Sequence, residues 1–322
     1  MKSVFVKNLN EGMSLFGEAF AVKSFKKMTT RQDKPYIDVE LSDRTGNVRG
    51  KIWPDHIEKC QTIKEGDVVK VEALVEKYNE KIQLKIMALS EEKEYNLEDF
   101  QAVSRQNQKE MITLIKKSIS KIKNKYLKAL LNNVFTDDFT KDFSEASASY
   151  RLHHAYRSGL LEHTAEMLVM SEAILDQYPK MNNDLLKTGI LLHDLGKIKE
   201  YQVSTTISIS TEGKLLGHIF IGAEHIKSKA PKDMPADLLN EVLHLVLSHH
   251  GELEFGSPVL PKTAEAITLA SLDNTSAKIN ASYVAIHETS NDSEFTSYYK
   301  HLGTELYRSP YLDNLTNEDI PF

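Results

Sequence analysis

A histidine and an aspartate stand side by side in the stretch LLHDLGK, residues 191–197, which is otherwise apolar. The apolar residues before it are spaced as in a helix, and this spacing directs His193 and Asp194 to the buried side. Gly196 is expected to end that helix. Burying an unpaired carboxylate costs free energy, so the pair needs polar or charged partners. Imidazole and carboxylate are also ligands of divalent first-row metals. The pair therefore raises two alternatives, a satisfied polar core or a metal site.

Other histidines are concentrated in the same part of the chain. Nine of the 12 histidines lie between residues 153 and 250. Helical spacing directs four further polar side chains inward: His163, His249, His250 and Asp273. A single inward histidine is ordinarily a core residue, but several of them with two carboxylates would repel one another or remain unpaired. A shared divalent cation removes both costs, so we interpret these residues as metal ligands.

The composition limits the kinds of protein and of metal site. The chain has 322 residues, 41% hydrophobic and 27% charged, which is typical of a globular protein with room for two domains. No apolar run approaches the roughly 20 residues that span a bilayer, and the start lacks a secretory signal, so we expect a cytoplasmic location. Cys60 is the only cysteine, which leaves histidine and carboxylate to hold any metal.

Charge is distributed unevenly along the chain. Residues 1–90 carry 16 lysines and arginines against 13 acidic residues, whereas the remainder carries 24 against 33. Within the first part, one segment is strongly basic and contains Lys23, Lys26, Lys27, Arg31 and Lys34. Such a segment can bind a polyanion, and it can equally be a solvated loop. We therefore regard it as a candidate nucleic-acid contact.

The pattern of strand-like segments in the first 90 residues predicts a small barrel. Strand-like runs cover 16–25, 35–42 and 47–53, a short helical stretch follows Pro54, and residues 66–90 alternate through two more strands. This order is that of the OB fold, whose strand 2–3 face and loops bind oligonucleotides. Tyr36 is a candidate for stacking on a base, together with Phe25, Trp53 and Tyr78. The alternative is that aromatics fill the barrel, which we expect for Trp53 and Phe25.

The inward residues also carry a family resemblance. His163, the pair 193–194, His218 in GHIFIGAEH, the pair 249–250 and Asp273 resemble the ordered signature of HD-domain phosphohydrolases that hold two metals. The stretches HHAYRSGLLEHT and GSPVLPKTAEA resemble further parts of that family. With the barrel in front, nearly all of residues 1–290 resembles the YhaM-type 3'-5' exoribonucleases of Gram-positive bacteria.

The resemblance implies a multidomain α+β protein, in which an N-terminal OB-fold β-barrel precedes an all-α HD domain. We expect the barrel at 1–90, a helical connecting segment at 91–150, the HD domain at 151–290 and a C-terminal tail at 291–322. At Ala270 and Ser276 the chain departs from the family pattern, which commonly has histidine and aspartate there. These departures concern the surroundings of the implied metals and substrate handling.

The resemblance also implies how two metals are held. One ion would be bound by four residues: His163, His193, Asp194 and Asp273. The second would be bound by His218, His249 and His250, with Asp194 bridging the two. The family favours Mn²⁺, and this donor set also suits Fe, Ni, Zn or Co. Two such ions can activate water, polarise a phosphoryl oxygen and stabilise the leaving group in phosphodiester hydrolysis.

Further residues are candidates for contacts with substrate. Lys197 can neutralise a phosphate oxygen in the reaction, although a lysine at a helix end also interacts with the helix dipole. Four residues before the first implied ligand could bind substrate phosphates or protonate the leaving group: Arg151, His153, His154 and Arg157. Of these, His154 is the preferred catalytic candidate. We expect the remaining histidines to be structural or on the surface: His56, His225, His244, His287 and His301.

The expected function is that of a metal-dependent 3'-5' exoribonuclease, with Asp194 at the centre of the site. Its substrate would be single-stranded RNA, with single-stranded DNA left open, and the family suggests a homo-oligomer. Two alternatives remain at this point. One is an HD phosphodiesterase for cyclic dinucleotides or other small nucleotides, and the other is a single-strand DNA-binding factor whose HD domain is structural.

Overall fold

The computed structural model of the protein describes residues 2–30, 32–60, 63–79, 81–150, 153–287, 289 and 293–309. These residues form two compact units. One contains the described residues up to Ala102 together with Val203–Thr206, and the other contains Val103–Gln202 and the described residues from Ile207 onward.

Five strands close into a barrel in the first unit. Neighbouring strands follow the order β1-β2-β3-β5-β4, in which β3 and β5 pair in parallel and the other pairs are antiparallel. A 3₁₀ helix, Pro54–Cys60, connects β3 to β4. This is the OB-fold arrangement that the sequence predicts. The strands are β1 (Ser14–Thr29), β2 (Pro35–Asp43), β3 (Gly46–Ile52), β4 (Val68–Tyr78) and β5 (Lys81–Glu91).

Alternating side chains explain why these segments form strands. In β4 the pattern of burial changes at nearly every residue, so that Val69, Val71, Ala73 and Val75 point into the barrel. The hairpin from β4 to β5 turns at Asn79, whose φ of 47° lies in the left-handed region that asparagine tolerates. The register of the barrel is therefore fixed by its buried face and by this turn.

Three helices precede the site-bearing part of the second unit. Each begins at a side chain that accepts a hydrogen bond from the first turn: Asn107, Asn124 and Thr136. Their apolar residues join the core formed by the later helices. The three are α1 (Gln108–Lys121), α2 (Lys125–Val134) and α3 (Asp137–Glu145).

The rest of the second unit is predominantly helical, as predicted for this part of the fold. Helix α7 is interrupted at Gly217, whose φ of 71° is not helical. Among the described residues, no helix combines the length and apolar character needed to cross a bilayer. From α4 onward the elements are α4 (Gly159–Gln177), α5 (Asn183–Leu192), α6 (Lys197–Glu200), β6 (Tyr201–Val203), β7 (Ile207–Ile209), α7 (Thr211–Lys229), α8 (Ala236–Ser248) and α9 (Ala264–His287), and only the last residue of β6 is counted with the first unit.

Candidate metal centre

Seven side chains from five places in the second unit converge in two adjacent groups. We call the first the His163 cluster, which consists of His163, His193, Asp194 and Asp273, and the second the His218 cluster, which consists of His218, His249 and His250. Within each cluster the potential ligand atoms all lie within 4.8 Å of one another. The structure thus brings together the residues singled out in the sequence, in the two groups that the resemblance implies. Their role as ligands stays a prediction.

The ends of helices position most of these side chains. His193 and Asp194 follow directly after α5, and His249 and His250 follow directly after α8. His218 comes immediately after the interruption of α7 at Gly217, while His163 and Asp273 lie within α4 and α9. The two adjacent pairs project in different directions because neighbouring residues in a helical turn diverge by about 100°. The two side chains of an adjacent pair can therefore point towards different clusters.

Gly196 has a different role from the one expected. The sequence suggests that it ends the helix, but α5 already ends at Leu192 and the φ of Gly196 is −65°, which any residue adopts. A Cβ atom at this position would instead overlap the backbone carbonyl of His218. The glycine therefore allows the turn that carries Asp194 to lie directly against the segment that carries His218.

The Asp194 carboxylate lies between the two clusters. Its Oδ2 atom is 3.2 Å from Nε2 of His193 and 3.8 Å from Nε2 of His163. Its Oδ1 atom faces the other way and is 3.6 Å from Nε2 of His218 and 3.5 Å from Nε2 of His249. One carboxylate thus presents an oxygen to each cluster, as a bridging ligand would.

In the five histidines of the two clusters, the group next to Nδ1 determines which ring nitrogen carries the proton. For three of them that group is a carbonyl oxygen of the main chain. Nδ1 of His193 lies 2.9 Å from the Ile190 carbonyl oxygen, and Nδ1 of His249 lies 2.6 Å from that of Val246. Nδ1 of His250 lies 2.7 Å from the carbonyl oxygen of Phe255. A carbonyl oxygen only accepts, so these rings carry their proton on Nδ1 and present a lone pair on Nε2.

The arrangement fits a bound cation. Nε2 of His163 and Nε2 of His193 are 3.3 Å apart, and Nε2 of His163 is 3.2 Å from Oδ1 of Asp273. The buried Asp194 Oδ1, His218 Nε2 and His249 Nε2 atoms lack a hydrogen-bond partner among the described residues. Lone pairs that face one another, and buried polar atoms without a hydrogen-bond partner, raise the free energy of the folded protein. A cation or a proton between them removes this cost. Histidine and carboxylate groups able to hold a metal are therefore present.

The charges at the centre favour an ionised Asp194 and neutral histidines, with one exception. Burial lowers the pKa of His193, but the Asp194 carboxylate beside it outweighs burial and raises the pKa overall. Burial raises the pKa of Asp194, but the ammonium of Lys197 and the imidazole of His193 outweigh it and hold the pKa well below its ordinary value. Burial lowers the pKa of His163 and of His249, and it lowers that of His250 to about 4. Neutral imidazole and ionised carboxylate are the forms that bind metals.

Lys197 contacts the centre itself. Its Nζ atom donates to Asp194 Oδ2 over 2.6 Å, and its side chain is almost fully buried. Lys197 opens the short helix α6, shortly after the end of α5, and its ammonium is directed at Asp194. A buried ammonium therefore lies beside the carboxylate that faces both clusters.

The two neighbouring histidines 153 and 154 differ in their surroundings. His154 is fully buried, and its ring lies 2.9 Å from the Tyr156 hydroxyl and 3.4 Å from the Glu166 carboxylate. His153 is only partly buried, its ring centroid is 6.1 Å from that of His163, and charge on Lys197 contributes to lowering its pKa to about 3, after the larger effect of burial. Sequence reasoning preferred His154 over His153 for contact with substrate. His153 is the less enclosed of the two, and the role of each stays a prediction.

The predicted nucleic-acid-binding residues lie in different settings. Lys26, Lys27 and Lys34 are exposed on the β1–β2 hairpin, and Lys23 forms an ion pair of 3.4 Å with Glu40. Arg157 forms an ion pair of 3.2 Å with Glu145. Two further candidates, Arg31 and Arg151, lie outside the described residues.

The barrel also carries a surface group that the sequence only partly indicated. Nζ of Lys51 lies 6.0, 5.7 and 5.4 Å from the ring centroids of Tyr36, Trp53 and Tyr78. We call these four residues the aromatic patch. Phe25 packs against the barrel core as expected, but Trp53 does not, because its ring lies only half-buried beside Tyr36 at 5.7 Å. Lys51 was missed because a lone lysine in a strand gives no signal.

Among the histidine side chains that the structure describes, those outside the two clusters take no part in either one. His225 stacks on Phe139 with a ring separation of 5.3 Å, and Nε2 of His244 accepts a hydrogen bond from the Lys262 amide. His56 is half-buried and His301 is exposed, while nothing is described for the side chain of His287. The first two contacts are structural ones.

Fold and site together define the class. Residues 160–278 match the HD domain family, and residues 14–92 match the OB-fold nucleic acid binding domain family. The chain is thus an HD-domain protein with an N-terminal OB fold.

Curated relatives identify the family within that class. The chain is 36% identical to the 3'-5' exoribonuclease YhaM of Bacillus subtilis, over 80% of this chain and 83% of that protein. It is 32% identical to the protein of the same name from Bacillus licheniformis, over 87% of this chain and 89% of that protein. The chain therefore belongs to the YhaM family, and the family prediction from the sequence is confirmed.

The second OB-fold domain of replication protein A from Methanococcus maripaludis is a similar solved structure, with 19% identity, a TM-score of 0.24, and coverage of 30% of this chain and 100% of that one.

Proposed function

We propose that this protein is a metal-dependent 3'-5' exoribonuclease that hydrolyses single-stranded RNA in the cytoplasm at a dinuclear centre. The observation that carries the proposal is the placement of Asp194, whose two carboxylate oxygens face separate groups of imidazole lone pairs. The names of the curated relatives support the substrate and the direction of digestion.

The His163 cluster would hold one ion and the His218 cluster the other, with Asp194 shared between them. When bound there, two divalent ions would supply a more acidic water and a polarised phosphoryl group for in-line displacement. Mn²⁺ suits this set of nitrogen and oxygen donors, as do Fe, Ni, Zn and Co.

Protein groups around the centre would orient the scissile phosphate. The buried ammonium of Lys197 offers positive charge to a non-bridging oxygen. Burial keeps His153 neutral, so its ring can hydrogen-bond to the phosphate or the leaving group without adding a charge. Arg157, held by Glu145, is available at the edge of the same segment.

The barrel would bind the single strand. The aromatic patch combines exposed or half-exposed rings with a cation, which is the combination that binds stacked bases and backbone phosphates. The exposed Lys26, Lys27 and Lys34 extend the positive charge on the same barrel. Such a surface tolerates many sequences, and it accepts single-stranded DNA as well unless a contact reads the 2'-hydroxyl.

The central test is digestion of RNA with and without metal. Incubation of the purified protein and Mn²⁺ with a 5'-labelled single-stranded RNA is expected to shorten it stepwise from the 3' end. Removing metal with EDTA is expected to stop the reaction, and adding Mn²⁺ back is expected to restore it. A circular RNA of the same sequence serves as the control and is expected to remain intact, because an exonuclease needs an end.

Other outcomes would favour other functions. Cleavage of the circular RNA would indicate an endonuclease. An intact linear RNA beside a hydrolysed cyclic dinucleotide would indicate a small-nucleotide phosphodiesterase. Binding of single-stranded DNA without any hydrolysis would indicate a binding factor with a structural HD domain.

Replacing the two tyrosines of the aromatic patch tests the role of the barrel. In the Tyr36→Ala/Tyr78→Ala variant we expect RNA affinity to fall by about 5- to 150-fold for each stacked base lost, the equivalent of about 1–3 kcal/mol per base. Fluorescence anisotropy with labelled RNA measures the change. The matched Tyr36→Phe/Tyr78→Phe variant keeps both rings and is expected to bind like wild type. Equal affinity of all three proteins would exclude the patch from RNA binding.

A further inference from the structure

A chain of hydrogen bonds leads from His163 away from the centre. Nδ1 of His163 lies 2.9 Å from Oγ of Ser276, and Oγ of Ser276 donates to Oε2 of Glu166 over 2.7 Å. His163 and Glu166 are three residues apart on α4 and therefore share one face of that helix, while Ser276 lies on α9. The chain thus joins two helices behind the His163 cluster.

The direction of each hydrogen bond follows from the groups themselves. Burial raises the pKa of Glu166, but hydrogen bonds from His154 and Ser276 outweigh it and lower the pKa overall. An ionised carboxylate only accepts, so the single proton of the Ser276 hydroxyl is directed to Glu166. The Ser276 oxygen must then accept from Nδ1–H of His163. The lone pair of Nε2 is left to face Asp273, which lies 3.2 Å away.

His154 belongs to the same network. The side-chain amide nitrogen of Asn280, which can only donate, lies 3.3 Å from Nδ1 of His154, and the Tyr156 hydroxyl lies 2.9 Å from it. Nδ1 is therefore an acceptor and Nε2 carries the proton. Nε2 lies 3.3 Å from Oγ of Ser276 and 3.4 Å from Oε2 of Glu166, so its proton is directed to the Ser276–Glu166 pair. The backbone of His154 has a φ of 48°, and its amide donates to Oδ1 of Asn280 over 2.8 Å. These contacts fix the ring behind the cluster.

The other four histidines of the two clusters are not oriented through a chain of side chains of this kind. His193, His249 and His250 are held by carbonyl oxygens of the main chain. His218 lies with Nδ1 only 2.9 Å from the Glu200 carboxylate, which favours a proton on Nδ1 directly. His163 is thus the one of these five whose ring is set by a neutral hydroxyl and a carboxylate beyond it.

We infer that Ser276 and Glu166 are positioning residues that hold His163 in its Nδ1-protonated form and aim Nε2 at the cation of the His163 cluster. His154 acts through Glu166 and does not touch the reacting atoms. The inference rests on the proposed function, since it assigns a metal to that cluster. It gives Ser276, which departs from the family pattern, a defined role in this chain.

Metal titration of the full-length protein tests the inference separately from activity. For Ser276→Ala we expect one of two Mn²⁺ ions to bind about 10- to 100-fold more weakly, the usual effect of losing a group that orients a metal ligand. Isothermal titration calorimetry measures both affinities. Ser276→Thr keeps the hydroxyl and is expected to recover most of the loss. Ser271→Ala is the matched control, because Ser271 lies on the same helix and its exposed hydroxyl donates only to the Ile267 carbonyl.

The outcomes separate the inference from the function on which it rests. Two ions bound by Ser276→Ala with wild-type affinities would overturn the inference and leave the exoribonuclease proposal intact. A wild-type protein that binds no Mn²⁺ would overturn the dinuclear centre itself. If Ser276→Ala fails to fold, as shown by circular dichroism, Glu166→Gln is titrated in its place with the same expectation, and wild-type affinities in that variant would again overturn the inference.

Discussion

Asp194→Asn is expected to lower the rate of RNA hydrolysis at saturating Mn²⁺ by about 10³-fold or more. Asparagine keeps the shape of the side chain but removes the charge that both clusters share, and the lost charge stabilisation of the transition state is about 4 kcal/mol. Single-turnover hydrolysis of labelled RNA measures the effect. Asp176→Asn is the control, since Asp176 is exposed on α4, and it is expected to match wild type.

The same substitution also removes the partner of Lys197, so stability needs a separate measurement. A buried ammonium without its carboxylate destabilises a protein by about 3–5 kcal/mol. In the double variant Asp194→Asn/Lys197→Met we expect the melting temperature to recover while hydrolysis stays lost. Recovery of activity together with stability would show that Asp194 acts on folding alone, and unchanged hydrolysis in the single variant would exclude a catalytic centre here.

Gly196→Ala is expected to lower the free energy of unfolding by about 3 kcal/mol or more, because the new methyl group would overlap a backbone carbonyl that cannot turn aside. For a unit of this size the melting temperature would fall by about 10 °C. Any relaxation moves His218 away from Asp194, so Mn²⁺ binding is expected to weaken as well. Differential scanning calorimetry and metal titration measure the two effects.

The matched control lies on the other side of the same contact. A Cβ atom on Gly222 would lie 3.5 Å from the nearest heavy atom, the Gly196 nitrogen, which is ordinary van der Waals contact. Gly222→Ala is therefore expected to melt close to wild type, helped by the better helix propensity of alanine. Equal destabilisation by both substitutions would mean that the close approach at Gly196 is not what limits this site.

Local patterns were sufficient to predict the barrel. Alternation in residues 66–90 fixed both strands and the turn at Asn79, since a period of two and a left-handed turn residue leave few other structures. The convergence of His163, His193 and Asp273 was also foreseeable, because three polar residues on the apolar faces of separate helices must find one another or a shared cation.

Contacts between distant segments could not be predicted in this way. Ser276 and Glu166 are 110 residues apart. Each lies three residues after a predicted ligand and so on the same helix face, but their hydrogen bond to one another depends on how α4 packs on α9. Gly196 was predicted to end a helix because glycine commonly follows helices. The structure shows that glycine is needed there because a Cβ atom would overlap the backbone carbonyl of a residue on another helix. Trp53 was predicted to lie in the barrel core because tryptophan is large and apolar. In the structure its ring lies instead beside Tyr36 and Lys51.

The backbone anchors of His193, His249 and His250 determine which parts of the centre can be retuned. A carbonyl group of the main chain is present whatever side chain its residue carries, so the basicity of these three imidazoles is largely protected from point mutation. His163 and His218 are held instead by side chains that can be exchanged. Divergence within the family, or deliberate redesign towards a harder or softer ion, would therefore act through Ser276, Glu166 and Glu200.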